Sequence, residues 1–472
     1  MHRLKQMISA IDMTEGTPWK KLLLFTLPLL VGNVFQQLFS TVDAIMLGRF
    51  VGDHALAAVG SVMSIFFLIL VLMMGVAMGA GVMVAQYFGA KQRDKLSYTI
   101  GTSIVLTAIL GALLMIVGPQ VTRPLLIFLD TPYEILDYGV TYINILLLGV
   151  LGMGYFNMLS GILRGVGDAF SPLLYLAFAS LLNIALNYLF IGVLGWGVMG
   201  AAFGTVIAQS TSALLCLRRL LQMRDVFELS RRHLRPKKEY VSQVMKLGLP
   251  TGLSQAVFAI AMMIVQPLAN RFGYMFLAAN IIVMKVDGFV MMPIFSFGNA
   301  MTVFAGQNMG AGKVDRVGQG TKQCALMSLG MASVMVVVIL LFGRQIAGLF
   351  TDTTEVLDMS IRFLRILALG YMAFSVSLVL WGAIRGAGDA ITPMWASLIN
   401  TAAVRVPMAY LLVFLIGEPV ALIYSLLLSW VTHSIISVVA YRIGRWRTQG
   451  LVKREKSDAD ELEEDDGPPS LV

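Results

Sequence analysis

LRGVGDAFSP, residues 163–172, and IRGAGDAITP, residues 384–393, are two copies of one charged turn, each set between long apolar stretches. Arg385 follows Arg164 by 221 positions. Charged side chains are costly in such surroundings, so a turn written twice needs an explanation at the level of the whole chain. Sliding the sequence on itself by 221 or 222 positions supplies one. Pro28 falls on Pro250, and Gln86-Tyr-Phe-Gly-Ala-Lys falls on Gln307-Asn-Met-Gly-Ala-Gly. FLDTPYEILD (128–137) falls near FTDTTEVLD (350–358). Landmarks that coincide in register and in order mean an internal duplication.

What is duplicated follows from composition. The 472 residues are 57% hydrophobic and 13% charged, with a mean hydropathy of +0.79, far too apolar for a water-soluble chain. A helix needs about 20 apolar residues to cross a bilayer. Twelve such stretches are predicted, at 22–48, 55–87, 97–118, 136–163, 172–194, 198–221, 243–270, 277–308, 319–342, 357–384, 393–416 and 420–443. They are continuously apolar, without the alternation of barrel strands, so they read as helices. The fold class is an all-α polytopic membrane protein of two six-helix repeats. Six is even, so both repeats enter and leave on one side, and they are parallel, related by an axis along the membrane normal.

Lys and Arg set the orientation. Lys91, Arg93, Lys95, Arg164, the block RDVFELSRRHLRPKKEY (224–240), Lys313, Arg316, Lys322 and Arg385 fall in connections that share one side. The other side holds little more than Arg49, Arg123, Arg271 and Arg344. By the positive-inside rule both termini are expected in the cytoplasm, in a multi-pass plasma-membrane protein. The net charge of +8 is then an orientation signal rather than a sign of a nucleic-acid partner. The expected division is a cytoplasmic N-terminal segment 1–21, an N-lobe 22–221, a cytoplasmic linker 222–242, a C-lobe 243–444 and a tail 445–472. The tail turns from basic to acidic with little to bury, and is expected to be disordered. No small-residue cleavage site follows the first helix, which is expected to be retained.

The motifs carry a resemblance. VDAIMLGRFVGDHALAAVG (42–60), the paired RGxGDA turns, LLNIALNYLFIGVLGWGVMGAAFGT (181–205) and KVDGFVMMPIFSFGNAMTVFAGQNMGAGK (285–313) together resemble the multidrug and toxic compound extrusion family, MATE, and within it the prokaryotic DinF-like branch. The resemblance implies two lobes facing across a central cleft. It also implies export of small organic, often cationic, compounds in exchange for H+ or Na+. Other branches place acids in spans seven and ten, where this chain has Phe258 and Phe374. That departure puts the weight of ion coupling on the N-lobe. The branch pattern of an aspartate in span one, Asn-x-x-x-Asp in span five and a later threonine maps onto Asp43, Asn183, Asn187 and Thr205, with Asn187 in place of the second acid.

The residues read on their own point to the same place. Gln36 and Ser40 precede Asp43 by seven and three positions and share its helical face, a polar face in an apolar helix. Asn183 and Asn187 also share a face. At ~1.5 Å per residue Asn183 lies about 16 Å, Asn187 about 22 Å and Thr205 about 20 Å from the cytoplasmic edge of a ~30 Å core. Asp43 comes out between roughly 22 and 31 Å, so the four can meet in the outer half. Removal from water disfavours a charged carboxylate, which suits Asp43 to loading and releasing a proton. With amide and hydroxyl oxygens around it, the same set is a candidate Na+ site. Losing the second acid favours protons.

The other intramembrane charges are Lys285, Asp287 and Arg405, and an Asp287–Arg405 pair across helices is expected. Arg164 with Asp168, and Arg385 with Asp389, are expected to pair within the turns. Met262, Met263, Met284, Met291 and Met292 could line an adaptable pocket. Pro267, Pro293 and Pro407 are expected to bend helices beside the cleft. Cys216 and Cys324 lie in or near spans, as packing residues. The four histidines lack ligand spacing, and no phosphate loop or nucleophile motif appears. The chain therefore reads as a transporter without cofactor, not an enzyme, embedded in lipid and expected to act as a monomer. The alternatives are a flippase for lipid-linked precursors and a structural or sensory membrane protein that transports nothing.

Overall fold

The computed structural model describes residues 10–128 and 132–452. Helices account for nearly all of this, and no strand occurs among the described residues. The first half comprises α1 (Pro18–Phe50), α2 (Asp53–Gly89), α3 (Arg93–Phe128), α4 in two pieces (Tyr133–Leu148 and Val150–Gly165), α5 (Phe170–Asn187) and α6 (Gly197–Gln222). The second half comprises α7 (Lys238–Asn270), α8 (Gly273–Gly310), α9 (Val314–Gly348), α10 (Thr354–Gly386), α11 in two pieces (Ile391–Ile399 and Val406–Ile416) and α12 (Val420–Ile443). The pieces of α4 meet at Gly149 with a bend of 53°. Both fifth helices contain one π-helical turn, Tyr188–Val193 after α5 and Asn400–Arg405 inside α11. These are the twelve units the sequence predicts. Side chains such as Leu349 and Phe414, 82% and 86% exposed, form an outer surface fit for lipid.

Helix ends overrun the apolar spans, because a first turn of charged residues continues a helix without being apolar. α1 begins at Pro18, where proline suits the first helical turn. α7 begins at Lys238, within the predicted linker. The remaining connection docks on the start of α3. Glu228 N donates to Ser97 Oγ at 3.0 Å, and Arg232 pairs with Asp94 at 2.8 Å. His233 is buried there and Lys237 lies 3.7 Å from the centre of the Tyr98 ring.

Among the described residues, the buried clusters that join the two halves lie at one end. Away from the chain termini each half has its own core, one built around Leu47, Leu136, Tyr142 and Leu147, the other around Phe276, Phe363, Leu364 and Tyr371. At the end that carries the termini, one cluster mixes Leu22, Phe25 and Ala169 with Phe304, Trp381 and Ile384. Another adds Tyr240, Val244 and Leu247 of α7 to the first half. Bare backbone makes this junction possible. A Cβ added at Gly75 or Gly79 of α2 would lie 2.6 Å or 2.5 Å from carbonyl oxygens of α7. One at Gly89 would lie 1.9 Å from Gln307 O, and one at Gly310 only 1.8 Å from Gln86 O.

The duplicated turns sit at this junction and are clasped crosswise. Gln307 Nε2 donates to Gly165 O, and Gln86 Nε2 donates to Gly386 O, each at 2.9 Å. Each glutamine oxygen then receives a terminal segment of the chain. Met13 N donates to Gln307 Oε1 at 2.9 Å, and Leu451 N donates to Gln86 Oε1 at 2.7 Å. Residues 445–452 thus correct the expectation of a free tail from 445. Trp446 is buried and the segment packs, because its apolar residues reach the junction before the acidic run starts. The remainder of the expected tail, 453–472, and residues 1–9 lie outside the described residues.

Within the turns, Gly167 and Gly388 take φ of +94° and +107°, conformations that favour glycine. Asp168 accepts from Ser171 N (2.9 Å) and Oγ (2.7 Å), and Asp389 accepts from Thr392 N (2.9 Å) and Oγ1 (2.5 Å). The expected Arg164–Asp168 and Arg385–Asp389 pairs are not what forms. Asp168 pairs instead with Arg219 of α6 at 2.9 Å. Asp389 has no ion pair among the described residues; its oxygens serve the start of α11.

Candidate functional site

Asp43 lies in the part of α1 remote from the termini, and it is 9% exposed. α5 supplies Asn183 and Asn187 one turn apart, both fully buried, and α6 supplies Thr205. The four side chains meet. Asn187 Nδ2 donates to Asp43 Oδ1, and Thr205 Oγ1 donates to Asp43 Oδ2 at 3.2 Å. Asn187 Nδ2 also reaches Asn183 Oδ1 at 3.1 Å. With the Asn183 amide turned over, its nitrogen donates to Asp43 Oδ1 at 3.1 Å and its oxygen accepts from Thr205 N at 3.3 Å. That orientation satisfies both ends of the amide, which is how such amides are assigned. Asn187 Oδ1 is buried and has no hydrogen-bond partner among the described residues.

Two local features let the cluster form. The π turn begins at Tyr188, directly after Asn187, and such turns recur at functional sites. Gly204 faces Asn187, and a Cβ there would lie 2.3 Å from Asn187 Oδ1. Sequence reasoning missed Gly204, although a glycine beside Thr205 in an apolar helix is a visible sign of close approach. Gln36 is exposed on α1, seven residues before Asp43. The side chain of Ser40 lies outside the described residues.

The charges of the second half gather differently. Asp287 and Arg405 line one cavity of about 580 Å3, but they do not form the expected pair. The Tyr371 hydroxyl of α10 donates to Asp287 Oδ1, and Arg405 Nη1 donates to Ser425 Oγ of α12 at 3.0 Å. Each charge has taken a polar partner on a helix packed directly against its own. Lys285, two residues from Asp287, is exposed and is not among the lining residues. Met262, Met284 and Met291 line the cavity, as do Phe258 and Phe374. Pro393 does so as well, whereas Pro267, Pro293 and Pro407 do not. Cys216 and Cys324 are buried free thiols.

Comparison with known proteins gives a consistent set of similarities. The MatE family model matches twice, at residues 28–189 and 250–411. The two matches start at Pro28 and Pro250, the pair that the internal repeat superimposes. The chain is 29% identical over 431 residues to the probable multidrug resistance protein YoeA of Bacillus subtilis (strain 168), covering 88% of this chain and 93% of that protein. It is 26% identical to the probable multidrug resistance protein NorM of Thermotoga maritima, over 93% and 95% of the two chains. Among solved structures, a MATE protein in a bent conformation matches with a TM-score of 0.86 and 25% identity, covering 92% of this chain and 98% of that one. An outward-facing multidrug resistance MATE transporter of the MOP superfamily has the same fold, with a TM-score of 0.86 at 24% identity over 92% and 97% of the chains.

Proposed function

Since the chain belongs to the MatE family of multi-pass membrane transporters, which are not enzymes and need no cofactor, we propose that it exports small organic compounds by exchanging them for protons. In this reading the two lobes rock about the central cleft, and both termini face the cytoplasm. Halves that share buried clusters where the termini lie, among the described residues, support reading this as a state closed on that side. Export of multiple drugs is brought to this chain by the names of its relatives. The observation that carries the ion coupling is the buried Asp43 cluster.

The cluster has the properties of a two-state switch. An ionised Asp43 accepts from Asn187 Nδ2 and Thr205 Oγ1, as seen. A protonated Asp43 has a donor of its own, which needs an acceptor. Asn187 Oδ1, buried and without a partner, is that acceptor once the amide rotates. One rotation therefore lets Asp43 keep a hydrogen bond to Asn187 in either protonation state, and α1 is held to α5 and α6 differently in each. Sodium is the second candidate, because the same side chains offer oxygens. With Asn187 in place of a second acid the cage has a single negative charge, which favours the proton.

Uptake of ethidium into vesicles containing the protein, driven separately by a pH gradient and by a sodium gradient, tests this. The pH gradient alone is expected to drive uptake, and Asp43→Asn to reduce it at least about tenfold, the scale of losing one essential ionised group. Gradient-driven uptake that survives Asp43→Asn refutes the role of Asp43. Uptake driven by sodium alone assigns the cluster to that ion. Translocation of lipid-linked precursors without ethidium uptake would favour a flippase, and no transport at all a structural or sensory role.

A further inference from the structure

The cavity of the second half carries an imbalance that coupling through Asp43 does not use. Four buried polar atoms around it have no hydrogen-bond partner among the described residues: Arg385 Nε, Trp381 Nε1, His433 Nδ1 and Asn400 Oδ1. All four residues line the same space. Unpaired buried polar groups are costly, and folded proteins keep few of them. Two of the four, Arg385 Nε and Trp381 Nε1, are donors only, and they mark a place where a ligand supplies the acceptors.

The charges say what kind of ligand. Arg385 and Arg405 line the cavity against a single carboxylate, Asp287, whose Oδ1 already accepts the Tyr371 hydroxyl. The described partner of Arg405 is neutral, Ser425 Oγ. Phe258 and Phe374, at the positions where the resemblance leads one to look for acids, contribute rings instead. The π turn Asn400–Arg405 brings both of its end residues to the lining. The walls are aromatic, with Phe374 and Trp430 centroids 5.6 Å apart and Trp381 and His433 also 5.6 Å apart. At about 580 Å3 the space is that of a site for a small organic molecule.

We propose that this cavity binds an amphipathic organic anion, its carboxylate held by Arg385 and its aromatic body packed on Trp381, Trp430 and Phe374. Guanidinium groups match a carboxylate in shape and charge, and withdrawn from water they hold it strongly. Trp381 Nε1 adds a neutral donor beside Arg385. The inference deepens the export reading by adding an anionic class to the compounds this chain handles. It rests on that reading for the fate of the ligand, while binding itself can be measured without transport.

The test uses the purified full-length chain in lipid nanodiscs with fluorescein, an aromatic carboxylate, as probe and fluorescence polarisation as readout. Fluorescein is expected to bind saturably. Arg385→Gln is expected to weaken it about tenfold or more, as loss of a charge-assisted hydrogen bond does. Because Arg385→Gln can disturb the turn at the junction, Trp381→Phe provides a second probe. It keeps a ring, removes the N–H and is expected to weaken binding a few-fold in a monodisperse protein. Affinity unchanged in both Arg385→Gln and Trp381→Phe overturns the proposal. So does a cavity that takes tetraphenylphosphonium in place of fluorescein and loses it in Asp287→Asn. If no gradient drives transport while fluorescein binding still depends on Arg385, the export reading fails and the anion site stands; gradient-driven export without such binding is the reverse.

Discussion

Gly310→Ala isolates the closed junction. A Cβ at this position would sit 1.8 Å from Gln86 O and 2.6 Å from Gln86 C, so both obstructing atoms belong to backbone that cannot rotate away. Ordinary contact needs about 3.5 Å, so α8 and α2 must part by roughly 1.5 Å at this level. Overpacking of this kind costs typically 1–3 kcal/mol, and with backbone on both sides we take about 3 kcal/mol. A state in which the two ends are apart carries none of that cost. At 1.4 kcal/mol per tenfold, the ratio of closed to open junction falls by about two orders of magnitude. Spin labels at the exposed Lys95 and Lys322, one in each half, report the change as a new long-distance population. Gly318→Ala is the control, since a Cβ there meets nothing within 4 Å. A distance distribution for Gly310→Ala that matches both wild type and this control would refute the reasoning.

The clasp gives a graded version of the same shift. Gln86→Leu and Gln307→Leu each remove one hydrogen bond across the halves and one to a terminal segment. Each is expected to favour the open junction by about 1–3 kcal/mol, read with the same labels. Gly204→Ala is expected to abolish pH-driven ethidium uptake while the protein stays folded and in the membrane, because a Cβ 2.3 Å from Asn187 Oδ1 displaces the amide from Asp43; undiminished uptake would remove the amide from the mechanism. Arg219→Gln leaves Asp168, whose side chain is 1% exposed, without its ion partner. Breaking a buried pair costs about 3–5 kcal/mol, and a clear drop in the thermal midpoint is expected, against little change for Arg123→Gln in an exposed pair.

The sequence was most informative where few residues break a uniform background. Twelve apolar stretches become α1 to α12 because in lipid the backbone must satisfy itself, and a helix does so within each span. Asp43, Asn183, Asn187 and Thr205 were legible for the related reason that polar residues in apolar helices are rare, so shared faces and matching depth nearly determine who meets whom. Pairing was less legible. Arg164 looked like the partner of Asp168 by proximity in the chain, yet Arg219, brought in by α6, takes it. The clasp left only half a signal. Gln86 and Gln307 were visible as repeat landmarks, but their partners are backbone groups of Gly386, Gly165, Leu451 and Met13, and no side-chain pattern announces a backbone partner.

The crosswise clasp explains why the charged turn had to be written twice. Each glutamine stands at the end of the second helix of its own half and grips the turn of the other. A single copy would tie one half to the other at one point, leaving the pair free to pivot about it. Two copies related by the repeat axis tie both edges at once, so closing is cooperative and opening breaks both sides together. The termini occupy equivalent places in this arrangement, Met13 on one glutamine and Leu451 on the other, although the segments share no sequence. What repeats there is the vacant acceptor on each glutamine, and any extended backbone with a free N–H can fill it. The interiors of the two halves have meanwhile diverged. The first gathers Asn183, Asn187 and Thr205 around Asp43, whereas the second leaves Arg385, Trp381, His433 and Asn400 open to a cavity. On the proposed reading, the junction is the symmetric part because both lobes must move together, and the interiors differ because one carries the proton and the other the cargo.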